Sequence, residues 1–193
     1  MGQNGRTGKR DRNQITIEAY PDKAQYRPGE RANLILSILN ELAQAIPGSV
    51  EIQISHLLTP VATLNRELVI QPGSQQLMLE WLPPVEERLK GYGVDVRFID
   101  RQGQTLTETS TAFDVAPDWT SSPRYGFLCD FTPNEEDTVK RLLTMNRFHI
   151  NVVQFYDWLF RHDTLLPPKE EFQDPLGRRL SLKTVQNRIA LAH

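Results

Sequence analysis

Cysteine is almost missing. Cys129 is the only one in 193 residues, which excludes an intrachain disulfide framework and a thiolate metal centre. Its place in an apolar stretch makes packing its expected role. An excess of one charge is missing too: the net charge is −2, with 24% of residues charged. Nothing therefore points to nucleic acid or to an anionic membrane as partner. No apolar run approaches the roughly 20 residues of a membrane span. No glycine-rich phosphate loop and no Gly-x-Ser-x-Gly elbow occur, and His149, His162 and Asp163 lack the spacing of metal ligands. No cofactor is expected. The opening MGQNGRTGKRDRN has charge and glycine but no apolar segment of the secretory kind. Arg6, Lys9, Arg10 and Arg12 lie among polar residues, so residues 1–14 read as a solvated, disordered tail.

What is present, at 39% hydrophobic residues, suffices for a core. From residue 15 to 116 the apolar residues alternate. Leu34, Leu36 and Ile38 form one set; Val50, Ile52 and Ile54 another; Leu77, Leu79 and Trp81 a third. Val94, Val96 and Phe98 follow, then Phe113 and Val115. A period of two over short runs means half-buried strands. Pro28-Gly29, Pro47-Gly48 and Pro72-Gly73 each suit a type II turn, proline presetting φ and glycine taking the positive φ. About seven strands in about 100 residues is the profile of an all-β immunoglobulin-like sandwich, with Tyr92 placed to act as a tyrosine corner. His56 reads as a strand histidine, and Glu86, Glu87 and Arg88 as a loop of solvated charges. Trp81 has core spacing, with a carbohydrate platform as its alternative role.

Residues 117–123 have linker composition, and Trp119 is expected to pack between the two parts. Beyond them Tyr125–Cys129 reads as a short buried strand. Thr132, Pro133 and Glu135 make a capping box for a helix whose inward face is Val139, Leu142 and Leu143. A second strand, Ile150–Phe155, completes a βαβ unit with a right-handed crossover. A long polar loop with Pro167, Pro168, Pro175 and Gly177 follows. Ser181 then caps a second helix facing inward through Leu182, Val185 and Ile189.

The second strand ends in a crowd of polar and aromatic side chains: Gln154, Tyr156, Asp157, Trp158, Arg161 and His162. Ligands of parallel α/β sheets and barrels lie beyond this end of the strands. A carboxylate beside aromatic rings suits a sugar, which offers hydroxyls to the acid and C–H faces to the rings. By spacing alone the structural reading comes first: Asp157 as an ion-pair partner of Arg124 or Arg161, with Tyr156 and Trp158 as packing.

Pro123-Arg124-Tyr125-Gly126-Phe127-Leu128, Asn146-Arg147-Phe148-His149-Ile150-Asn151, and Gln154-Phe155-Tyr156-Asp157-Trp158 with His162 resemble the start of the catalytic barrel in glycoside hydrolase family 66. That family contains dextranases and cycloisomaltooligosaccharide glucanotransferases. The likeness is close over the last third of the chain, with departures at Val152, where glycine is expected, and Asp163, where a second histidine is. It implies a multidomain chain: a sandwich over 15–116, then residues 124–193 as the first βαβα part of a truncated (β/α)8 barrel, which needs about 250 residues when whole. It implies retaining attack on α-1,6-glucan by an aspartate nucleophile and a glutamate acid/base, both on later barrel strands outside this chain. Tyr156, Asp157, Trp158, His162 and Gln154 would then contact an α-glucan or isomaltooligosaccharide. It also implies secretion, which residues 1–13 do not encode. The alternative, of another class, is a non-catalytic β-sandwich module that binds glycans or a partner, with a short α/β appendage.

Overall fold

The computed structural model describes residues 14–85, 88–133 and 137–192. The expectations for the basic tail, Glu86, Glu87, Glu135 and the chain's last residue lie outside the described residues. Among the described residues, twelve strands and two α-helices make a mostly β protein. A three-stranded sheet has the order β1-β3-β6, from β1 (Ile15–Pro21), β3 (Ala32–Asn40) and β6 (Gly73–Trp81). A five-stranded sheet has the order β2-β8-β7-β4-β5, from β2 (Gln25–Tyr26), β4 (Ile46–His56), β5 (Thr59–Ile70), β7 (Lys90–Asp100) and β8 (Thr105–Val115). The chain divides into two compact units.

The first unit comprises residues 14–20, 34–79 and 92–112. Its core is the alternating sets predicted from sequence: Leu34, Leu36 and Ile38, Val50, Ile52 and Ile54, and Val94, Val96 and Phe98 are all buried. Antiparallel register sets Val50 opposite Phe98, Ile52 opposite Val96 and Ile54 opposite Val94, so the inward side chains meet as cross-strand pairs. Tyr92 is buried, its ring 5.9 Å from that of His56. The turn expected at Pro47-Gly48 does not form: both residues lie inside β4. Gly48 is there because a Cβ would come within 2.3 Å of Ile99 O and 2.8 Å of the Phe98 ring.

The second unit comprises the described parts of 21–33, 80–91 and 113–193. Here Arg27 O accepts from Glu30 N at 3.0 Å with Gly29 at φ 79°, the type II turn expected of Pro28-Gly29. Trp81 meets Phe113 edge-on at 6.1 Å, and Phe113 meets Tyr26 at 5.4 Å. Trp81 is thus a packing residue. Parallel strands β9 (Tyr125–Leu128) and β10 (Val152–Phe155) flank α1 (Thr138–Arg147). A hairpin of β11 (Glu171–Gln173) and β12 (Arg179–Ser181) precedes α2 (Leu182–Ala192). Leu128, Phe131, Phe172, Leu180 and Val185 form the buried cluster that joins them.

Several sequence expectations are corrected here. The helix α1 starts at Thr138 and not at Pro133. Residues 131–132 are committed elsewhere, since Phe131 O accepts from Ser181 N at 2.8 Å and Thr132 O from Thr184 Oγ1 at 3.0 Å. On α1, Leu142 and Met145 pack against the cluster while Val139 and Leu143 are exposed. Cys129 is exposed, because it falls one residue past the end of β9. Trp119 sits in a 3-10 turn, Trp119–Ser121, and is half exposed. In the second helix Ser181 Oγ does accept from Thr184 N, at 3.3 Å, as its capping role requires.

The turn between α1 and β10 is a Schellman motif: His149 N donates to Asn146 O at 2.8 Å and Ile150 N to Met145 O at 3.0 Å. His149 occupies the left-handed position, φ 59°, where glycine is usual. Polar clamps hold the start of both strands. Asn151 Oδ1 accepts from Arg124 N at 2.8 Å, and Asn151 Nδ2 donates to Gln25 Oε1 at 2.6 Å and Ser122 O at 3.2 Å. Arg124 donates to His149 O and to Ala24 O and forms an ion pair with Asp114. Burial first, then the Arg124 charge, hold the His149 imidazole below its usual range against the opposing pull of Asp114.

Candidate functional site at the strand ends

In β9 and β10 successive side chains point to opposite faces. The parallel register places Val152 beside Tyr125, Gln154 beside Phe127 and Phe155 beside Leu128. Leu128, Val153 and Phe155 face the buried cluster. Tyr125, Phe127, Val152 and Gln154 make the other face, on which Tyr125 and Phe127 are more than half exposed. Gly126 lets the pair pack close to α1 and the turn after it, for a Cβ there would meet Ile150 Cγ2 at 2.9 Å and Met145 Cε of α1 at 3.4 Å.

The ladder continues one step past the strands, with Tyr156 N donating to Leu128 O at 2.8 Å. Each strand then ends in an aspartate two residues on, Asp130 with φ 63° and Asp157 with φ 66°. Left-handed backbone costs an aspartate less than most residues, because its short side chain can bond locally. Each aspartate follows the last register pair, Phe155 beside Leu128, by two residues. Tyr156 is 55% exposed and its ring meets Phe127 edge-on at 6.0 Å. The Asp157 side chain is 41% exposed, with Oδ2 3.2 Å from Arg178 Nη2. The same nitrogen donates to Asp157 O at 3.0 Å and to Asp174 Oδ2 at 2.6 Å.

Asp174 is the buried anchor of this network. Its Oδ1 accepts from Arg178 N at 2.7 Å and Leu176 N at 3.1 Å. Burial alone would raise its pKa, but the Arg178 hydrogen bonds and charge outweigh it and hold the carboxyl below the usual range. Arg178 is raised in turn, first by its bonds to Asp174 and then by the charges of Asp174 and Asp157. On the other strand end, Arg141 Nη1 lies 3.4 Å from Asp130 Oδ2. Arg188 of α2 is fully buried beneath it, donating to Cys129 O at 2.5 Å, Asp130 O at 2.9 Å and Thr138 Oγ1 at 3.1 Å.

The five residues singled out from sequence do not form one cluster. Gln154, Tyr156 and Asp157 share the open end and face of the strand pair. Trp158 packs against the buried cluster, and His162 lines a separate cavity of about 620 Å³. The carboxylate of Asp157 pairs with neither Arg124 nor Arg161: Arg124 is held by Asp114, and Arg161 lies 4.9 Å over the Phe160 ring. Sequence reasoning missed Asp130, Arg178 and Arg188. Asp174-Pro175-Leu176-Gly177-Arg178 carries a legible turn signal. Arg188 carries none, because its position reads as solvent-facing once Ile189 is assigned inward. Among the described residues no three His, Cys, Asp or Glu side chains are placed to hold a metal ion, and no helix is long and apolar enough to cross a membrane.

The model of glycosyl hydrolase family 66 matches residues 21–193. A cycloisomaltooligosaccharide glucanotransferase of Niallia circulans is 31% identical over 183 residues, covering 90% of this chain and 18% of that protein. A second from the same organism is 30% identical over the same coverage. The crystal structure of a Paenibacillus sp. cycloisomaltooligosaccharide glucanotransferase complexed with cycloisomaltoheptaose superposes with a TM-score of 0.84. Its identity is 29%, over 93% of this chain and 26% of that one. The chain thus spans about a fifth of the length of the curated relatives it matches.

Proposed function

Because the chain belongs to glycosyl hydrolase family 66, we propose that it is the amino-terminal part of an enzyme acting on α-1,6-glucan, a dextranase or a cyclising glucanotransferase. In this reading the three-stranded and five-stranded sheets form an immunoglobulin-like sandwich over 15–116 that serves as scaffold, 117–123 links, and 124–193 begins a (β/α)8 barrel. The exposed face of Tyr125, Phe127, Val152 and Gln154 is then the barrel's inner wall, and the ends of β9 and β10 lie at its mouth. The reaction is a retaining double displacement: one carboxylate attacks the anomeric carbon while a second, about 5 Å away, protonates the departing oxygen. Those two groups come from later strands outside this chain, so Asp157 binds and does not attack.

The observation that carries this reading is the delivery of Tyr156 and Asp157, side by side and open, by the parallel pair. Asp157 Oδ1 accepts a hydrogen bond from a glucosyl hydroxyl, Arg178 keeps the carboxylate oriented, and the Tyr156 ring, braced by Phe127, covers the sugar's C–H face. Gln154 supplies a further polar contact from below. Half-buried Trp158, packed against the core cluster, supports the end of β10 from behind.

Affinity electrophoresis in dextran gels tests the reading. The chain is expected to be retarded, with Asp157→Asn weakening retention by about tenfold or more, the loss of a charge-assisted hydrogen bond. Trp81→Phe is expected to leave retention intact, which separates this site from a β-sandwich glycan module. Free migration of the unaltered chain refutes glucan binding. Release of reducing sugar from dextran by this chain refutes the placement of the catalytic pair.

A further inference from the structure

The guanidinium of Arg178 stands between two carboxylates and treats them unequally. Toward Asp174, whose side chain is 3% exposed, it makes a two-point contact: Nε donates to Oδ2 at 2.8 Å and Nη2 to the same oxygen at 2.6 Å. Toward Asp157, whose side chain is 41% exposed, Nη2 donates to the backbone O at 3.0 Å and lies 3.2 Å from Oδ2. Nη2 carries two N–H groups and faces three acceptors. The two shorter contacts take its hydrogens, which leaves the Asp157 carboxylate an ion pair and no hydrogen bond of its own.

Among the described residues, Arg178 Nη1 makes no hydrogen bond or ion pair, and neither does Asp157 Oδ1. A cation with spare N–H groups thus lies beside a carboxylate with a spare oxygen. Arginine and carboxylate favour a two-point pair with both oxygens, yet none forms here. The restraint is Asp174. Its Oδ1 accepts from Arg178 N at 2.7 Å and Leu176 N at 3.1 Å, while Asp174 N donates to Arg178 O at 3.0 Å and Gly177 N to Asp174 O at 3.0 Å. One residue therefore fixes both the backbone and the charged end of Arg178. The arm cannot turn toward Asp157 without leaving a buried carboxylate unpaired, which is costly. Asp174 is also the stronger of the two neighbours that raise Arg178 above its usual range.

We propose that Asp174 is a positioning residue that keeps Asp157 open: by holding Arg178 it prevents the guanidinium from closing on both oxygens of the Asp157 carboxylate, so Oδ1 stays available to a ligand hydroxyl. This rests on the reading of Asp157 as a glucan-binding group and deepens it by naming what governs that group's availability. Without the charge at position 174, Arg178 turns to its second partner and occludes the site. The turn between β11 and β12 then controls the end of β10, although Asp174 itself touches no ligand.

Affinity electrophoresis of the full chain in dextran gels compares Asp174→Asn, Arg178→Gln and the double variant. Asparagine keeps an oxygen to accept from Arg178 N and Leu176 N but removes the charge. Asp174→Asn is expected to weaken retention about tenfold by itself, and to have no effect where Arg178→Gln is already in place. A merely structural Asp174 predicts the same loss in both backgrounds; that result overturns the proposal, as does full retention of Asp174→Asn. A second measurement needs neither a variant nor a sugar. In nitrogen-15 spectra of the unaltered chain at low temperature, Arg178 Nε–H is expected to exchange slowly with water and Nη1–H rapidly. Slow exchange at Nη1 means that the arm is already closed on Asp157, and it overturns the proposal whether or not the variants fold. If the unaltered chain migrates freely through dextran, the functional reading falls and the proposal with it; if it is retarded and the losses are equal in the two backgrounds, only the proposal falls.

Discussion

Replacing Arg188 should cost this fold more than any surface change, and the cost can be worked from its contacts. The guanidinium is fully buried and, among the described residues, donates to Cys129 O, Asp130 O and Thr138 Oγ1, while its carbon lies 4.6 Å over the Phe131 ring. Hydrogen bonds to a charged donor contribute about 1.5–3 kcal/mol each, and the ring contact adds about 0.5–2 kcal/mol. The carbonyls of Cys129 and Asp130 sit at an exposed turn, where water replaces part of what is lost. That leaves about 3–5 kcal/mol for Arg188→Ala, which in a chain of this length lowers Tm by roughly 10 °C. A lysine at this position keeps the charge but not the planar fork, reaching one carbonyl in place of two and losing the stacked geometry. Arg188→Lys should therefore cost about half as much. Urea unfolding followed by tryptophan fluorescence measures both, and amide hydrogen exchange at Asp130 reports whether the turn beside Asp157 loosens. Loss of less than about 1 kcal/mol in the alanine variant, or full stability in the lysine variant, refutes the assignment of Arg188 as the tie between α2 and the end of β9.

The remaining predictions concern packing, the strand clamps and pH. Gly48→Ala should destabilise by about 2–3 kcal/mol, since its Cβ collides with the rigid Ile99 carbonyl; an unchanged denaturation midpoint would contradict the close approach. Asn151→Ala removes three hydrogen bonds at the start of the strand pair and should cost about 2–3 kcal/mol, with Asn151→Asp recovering only the bond from Arg124 N; calorimetry checks the order. The folded His149 pKa lies below its ordinary value, so its contribution to stability is complete above the unfolded value of about 6.5 and is lost as pH falls through the folded value. Asp174 is likewise depressed, so its contribution is complete above about 3.9 and is lost below that. Melting curves from pH 8 to 3 should show two successive decrements, and His149→Asn, which suits the left-handed backbone and does not titrate, should abolish the first.

Much of the fold was legible because burial on one side of a sheet leaves a period-two signature that no other structure produces. Leu34 to Ile38, Val50 to Ile54 and Val94 to Phe98 sit in strands and point inward as their alternation requires. The βαβ order was readable from two short apolar runs around a helical stretch, and the family from motifs within them. Pro47-Gly48 misled because a glycine chosen for close strand approach looks the same as one chosen for a turn. The start of α1 misled because Thr132 and Pro133 satisfy a local capping rule, while a carbonyl bond to Thr184, fifty-two residues away, ties the chain elsewhere.

The sequence by itself determined most of the strands, the two helices and the chemistry of the residues at the end of β10, since these follow from local patterning and side-chain type, while the β11–β12 hairpin read only as a polar loop. Only the tertiary structure decided which of those residues share a site. It packed a half-buried Trp158 against the core, carried His162 to a second cavity, and set Phe155 beside Leu128 through the register of two strands far apart in the chain. Arg188 was invisible for the same reason. A buried arginine is placed by the carbonyls and carboxylates that satisfy it, and those partners meet only when distant segments pack.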